Sequence, residues 1–156
     1  MSETGLILRT AQQLMNYFGL TDPDHTNFAD QQGRLDITGA VYRAVTGKTP
    51  NAFLGNADHA VLLVTTNEPV MAALRWISRI LPTEAPDSGN GDDVIEHLAG
   101  WLADTDPFLG RRPNTADVIG VLERAALAAD RASTVPAQRT TDIPQAVHIP
   151  SPRRAA

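Results

Sequence analysis

An all-α fold, a single irregular or orthogonal bundle of five to six helices with a disordered C-terminal tail, is what this amino-acid sequence predicts. Three observations carry that prediction. Apolar residues recur at three- and four-residue spacings in successive segments, where half-buried strands would alternate. A Ser, Asp, Asn or Thr stands before most of these segments, where a side-chain oxygen caps a helix. Stretches rich in Gly, Pro and Asp separate them, and from Ala132 the helical spacing stops.

The first helix is expected from Gly5 to Phe18, with Ile7, Ala11, Leu14 and Phe18 on its apolar stripe, Ser2 or Thr4 as cap and Gly19 as stop. Thr21 to Gln32 then reads as a polar loop with Phe28 its only large apolar anchor. Asp22, Asp24, His25 and Asn27 have part of a calcium-loop pattern, but the Gly and the closing Glu of an EF-hand are missing. Asp36 caps a helix over Ile37 to Thr46, and Gly47 ends it. Gly39 and Ala40 sit where another backbone can come close, while Tyr42 and Arg43 are placed at the border of the stripe or in solvent. Gly47-Lys48-Thr49 is not a phosphate loop, because Tyr42 stands where the first glycine is required and Pro50 prevents a helix from starting at the lysine.

Ala57 to Thr65 fits a helix or a buried strand, and its helical neighbours favour a helix to Val64. Asn67 caps the next helix, with Pro69 in its first turn and Val70, Leu74, Ile77 and Leu81 as its stripe. Pro82 to Gly91 is a turn-rich loop, and Asp92 and Asp93 open a helix in which Trp101 anchors the core and needs an acceptor for its indole N–H. After the loop Thr105 to Pro113, Asn114 or Thr115 caps a last helix carrying Val118, Leu122, Ala125, Ala126 and Ala129.

These segments divide the chain into a helical domain, residues 1–131, and a Pro-rich tail, residues 132–156. Of 156 residues, 42% are hydrophobic and 20% charged, which suits one globular domain. No cysteine is present, which excludes a disulfide framework, a thiolate nucleophile and a Cys-based zinc site. The chain opens acidic, with no basic and apolar leader, and no apolar run approaches the roughly 20 residues that span a bilayer. A cytoplasmic protein is expected. Residues 1–130 hold nine Lys/Arg against seventeen Asp/Glu, whereas residues 131–156 hold four Arg against Asp142. An acidic body repels the phosphate backbone, so nucleic acid is not the expected partner.

No paired carboxylates, nucleophile with its base, metal cluster or phosphate loop emerges, and no cofactor is implied. The ligand candidates are His59, Arg75, Arg79 and His97. The two arginines share a helix face, where like charges repel unless an anion joins them, and Glu96 and His97 point about 100° apart, so they form no dyad alone. In the tail, Ile143, Pro144, Ile149, Pro150, Arg153 and Arg154 are candidates for docking a partner.

Three blocks carry a resemblance. Gly33, Arg34, Gly39 and Ala40, then Trp101, then Thr115 with Val118, Leu122 and Ala125 are similar to a family of small actinobacterial helical proteins catalogued as a domain of unknown function. Asp36 occupies the place of that family's cysteine, and Leu102 and Ala103 replace its Asn-Asp after the Trp. The resemblance implies a helical fold and no activity. The expected function is a non-catalytic protein-interaction or regulatory module, bound to another protein or a second copy of itself. The alternative is a small-molecule-binding or catalytic helical domain whose site gathers dispersed residues such as His25, His59, Glu96, His97 and Arg75 or Arg79.

Overall fold

Residues 1–148 are described by the computed structural model, with their side chains through Thr134. Six α-helices appear among them: α1 (Glu3–Phe18), α2 (Ile37–Thr46), α3 (Ala57–Thr65), α4 (Glu68–Ile80), α5 (Gly91–Ala103) and α6 (Thr115–His148). The all-α bundle is what the periodicity predicts.

Short polar side chains set the starts. Ser2, Asn56, Asn67 and Asn90 accept from backbone amides of α1, α3, α4 and α5, and Asp36 Oδ1 accepts from Gly39 N at 2.7 Å at the start of α2. At α6 the cap is Asn114 rather than Thr115: Asn114 Oδ1 accepts from Asp117 N at 3.1 Å while Asp117 Oδ2 accepts from Asn114 N at 2.8 Å. That reciprocal pair is a capping box. Thr115 Oγ1 is left to accept from Leu20 N at 3.2 Å, tying α6 to the end of α1. Because Ser2 is the cap, α1 begins at Glu3, two residues before its expected start.

The core forms where α1 lies along α6. Leu8, Ala11 and Met15 meet Val118, Leu122, Ala125, Ala126 and Ala129, all buried, and small residues on α6 allow the close approach. α4 closes this layer with Val70, Met71, Leu74 and Ile77, and α5 adds Leu98 and Trp101. Asp130 pins the far end, accepting from Ser2 N at 2.8 Å and from Arg9 Nη2 at 2.7 Å. Those donors hold its carboxyl down at about 2.

The polar stretch after α1 is more ordered than a loop of turn formers requires. Isolated bridges join Leu20 to Leu35 and Ala29 to Leu35, with Thr21 N donating to Leu35 O and Asp36 N to Phe28 O. Buried Asp30 accepts from Arg34 Nε at 2.7 Å and from the amides of Gln32 and Arg34, which stitches the turn at Gly33, φ +87°. The Phe28 carbonyl thereby rests on α2 at Gly39, where a Cβ would overlap the Phe28 oxygen. The small residue at position 39 admits another backbone, as its place in the sequence suggests.

Two expectations change. Tyr42 is buried rather than peripheral, because a 3₁₀ turn at Asn51–Leu54 folds Phe53 back onto α2. The Phe53 ring packs edge-on to Phe28 at 5.2 Å and to Tyr42 at 4.9 Å, so this aromatic trio closes the bundle beside α2. The second change concerns α6, which does not end at Arg131. Ala132, Ser133 and Thr134 are helical, with the Ser133 and Thr134 hydroxyls donating to the carbonyls of Asp130 and Arg131. Ile143 and Pro144 fall where side chains are not described, and Ile149, Pro150, Arg153 and Arg154 lie outside the described residues.

Candidate functional site

Three of the four ligand candidates come together. Arg75 and Arg79, one turn apart on α4, line a cleft of about 210 Å³ with Ser78 and the loop at Ala85 to Gly89. His97 reaches across from α5, its Nδ1 2.6 Å from Ser78 Oγ and its Nε2 2.8 Å from Thr83 Oγ1. Burial lowers the His97 pKa, so the ring sits neutral between two hydroxyls, donating to one and accepting from the other. Ser78 is a partner of His97 that apolar patterning hides, since it falls between Ile77 and Leu81 and reads as part of the buried stripe.

The two arginines in that cleft already have local partners. Arg75 Nη1 donates to Glu68 Oε1 at 2.9 Å, the Arg79 guanidinium stacks 4.7 Å from the Trp76 ring centroid, and Asp87 lines the same cleft. Arg75 and His97 are thus satisfied within the fold. His59 does not join them and is exposed on α3, where its backbone N–H serves the Asn56 cap. Glu96 faces a different groove with Asp58 and Asp92, and His25 lies within the bridged stretch from Leu20 to Leu35, a clasp over the start of α2. Among the described residues no group of three or more His, Asp or Glu side chains could hold a metal ion.

A different surface is built with more rigidity. Asp106, 4% exposed, accepts from Trp101 Nε1 at 2.8 Å and from the amides of Phe108 and Leu109 at 2.7 and 3.0 Å. Its own backbone N–H donates to Arg111 O, and its carbonyl accepts from Gly110 N, where φ is +72°. Trp101 thus finds the acceptor its burial demands, and that acceptor organises the loop between α5 and α6. These donors outweigh burial and hold the Asp106 carboxyl below the usual carboxylate range.

At the tip of this pinned loop Phe108 is 83% exposed. It borders a groove of about 360 Å³ whose walls include Ile80, Pro82, Leu109 and Val121, with Gly120 of α6 contributing no side chain. Arg124 lines the same groove, exposed and without an ion-pair partner among the described residues. Isolated exposed apolar residues are common on monomers, whereas an aromatic ring held out by five hydrogen bonds beside a partly apolar groove is an arrangement suited to anchoring a partner. Periodicity could not flag it, since Phe108 stands in a loop.

Fold and site together define an all-α bundle that holds an exposed aromatic ring beside a groove of mixed polarity. No protein-family model, curated protein or solved structure matches the chain.

Proposed function

We propose that this protein is a non-catalytic interaction module that docks a protein partner through the Phe108 groove. The observation that carries the reading is the exposed aromatic ring on a loop fixed by buried Asp106. Rigidity matters because an anchor that is already ordered loses little conformational entropy on binding. The partner surface that fits offers an apolar side chain to the groove and a carboxylate to Arg124. Either another protein or a second copy of this chain meets that description. No described helix is long and apolar enough to cross a membrane, and the reading places the protein in the cytoplasm. An acidic body argues against nucleic acid as the partner.

A photo-crosslinking residue at position 108 tests this in host cells, with the same residue at exposed Leu62 on α3 as control. A discrete adduct from position 108 alone is expected, competed by excess unmodified protein and not by the Phe108→Ala variant. Equal competition by Phe108→Ala, or the same adduct from position 62, would overturn the assignment. Removal of residues 135–156 leaves the adduct intact if the body carries the contact, and abolishes it if the tail does.

A further inference from the structure

A second cleft, about 190 Å³, lies between the clasp before α2 and the C-terminal end of α5. Its body is apolar, with Leu20, Phe28, Leu102 and Pro113 among its walls. Asp36 lines it and is 9% exposed. The carboxyl accepts from Gly39 N at 2.7 Å and is also approached by the Thr38 amide, but no Lys or Arg pairs with it among the described residues. Taking a carboxylate out of water with no cation beside it is costly.

Capping alone does not require that cost. The other five helices are capped by neutral Ser or Asn, and a neutral Asn would cap α2 equally well. His25 adds a second acceptor at the cleft. Its Nε2 lies 2.8 Å from Ala29 O, and a carbonyl only accepts, so Nε2 is the donor and Nδ1 is the ring nitrogen that can accept. From the loop side the charged and titratable groups facing Asp36 are Asp22 and His25; α5 contributes Ala99, Leu102 and Ala103, none of which ionises. Asp22 is itself engaged by Arg34 at 3.3 Å. An anion entering would meet two carboxyl groups, whereas an ammonium would find the counter-charge missing from Asp36.

We propose that this cleft binds a small organic amine, with its ammonium on the Asp36 carboxylate, a further N–H to His25, and its apolar part against Leu20, Phe28, Leu102 and Pro113. The site is independent of the Phe108 groove, and neither depends on the other. Burial raises the Asp36 pKa to about 7, so amine binding strengthens as pH rises from 6 to 8 and the carboxyl ionises.

The test is an amide-resolved NMR titration of the full chain with benzylamine and with butylamine at pH 8, using benzyl alcohol and benzoate as controls. Binding by at least one amine at about 1 mM, the affinity range of a small fragment, is expected, with shifts confined to residues 20–28, 36–39 and 99–103. Asp36→Asn keeps the cap and should weaken that binding by about tenfold or more, the loss of one ion pair. Ala99→Phe, at an exposed position on the cleft wall, should block entry without touching the core. Phe108→Ala should leave amine binding unchanged. Absence of shifts with both amines, equal affinity for benzyl alcohol, or unaltered binding in either Asp36→Asn or Ala99→Phe would overturn the proposal.

Discussion

Replacing Asp36 by Asn exchanges a buried carboxyl for an amide of the same shape, and the pH dependence of its effect follows from the structure. Burial lifts the carboxyl from 3.8 to about 7, against the opposing pull of the Gly39 and Thr38 amides. A group whose pKa is raised on folding stabilises the native state while protonated, and that contribution is lost as pH climbs through the folded value. The window is therefore pH 4 to 7. A displacement of about three units at 1.36 kcal/mol each sets a ceiling of roughly 4 kcal/mol, which water reaching the carboxyl through the cleft will reduce. Asn cannot ionise, so the variant should match the wild type near pH 4, to within about 1 kcal/mol for the altered cap hydrogen bond. At pH 8 it should be the more stable of the two. Urea unfolding of both proteins at intervals from pH 4 to pH 8 gives the difference directly, with the other titrating groups common to both and cancelling. A difference that stays flat with pH, or an Asn variant less stable at pH 8, would show that Asp36 is not a desolvated, uncompensated carboxyl.

Gly39→Ala should cost about 1 to 3 kcal/mol of unfolding free energy, because the added Cβ meets the Phe28 carbonyl oxygen and backbone cannot step aside; Lys48→Ala, at an exposed position, should leave the unfolding free energy within about 0.5 kcal/mol of wild type. Asp106→Ala removes the acceptor of a buried indole N–H and should destabilise by about 1 to 3 kcal/mol, with accelerated hydrogen exchange at Phe108 and Leu109 as its specific signature. Asp130, held at about 2, stabilises the fold above its unfolded value near 3.8 and ceases to do so as pH falls through the folded one. An acid titration followed by circular dichroism should find Asp130→Asn losing less stability than wild type between pH 4 and 2, having already lost the ion pair to Arg9 at neutral pH.

Helices were legible wherever a cap, a stripe and a stop agreed. The α2 segment is the clearest, since Asp36, the Ile37 to Val45 stripe and Gly47 each point to the same boundaries, which the structure reproduces from Ile37 to Thr46. What escaped were residues whose role depends on contacts distant in sequence. Phe53 follows Pro50 in a stretch too short for periodicity, so neither its burial nor that of Tyr42 could be read locally. His97 was singled out from the sequence, yet its hydrogen-bond partner Ser78 was invisible because a small hydroxyl residue fits an apolar stripe. Asp36 was read as a cap, and its second character as a lone carboxyl at a cleft appears only when Leu20, Phe28 and α5 are brought around it.

The Asp130 clamp bears on how the chain reaches its native state. Ser2 and Asp130 are 128 positions apart, and the helices they join provide the main apolar interface of the bundle. During synthesis α1 therefore waits for α6, an interval of about 10 s at ordinary elongation rates. Until then α1 can pack only on α2 and α4, and the side of it that α6 will cover stays exposed while the ribosome is still at work.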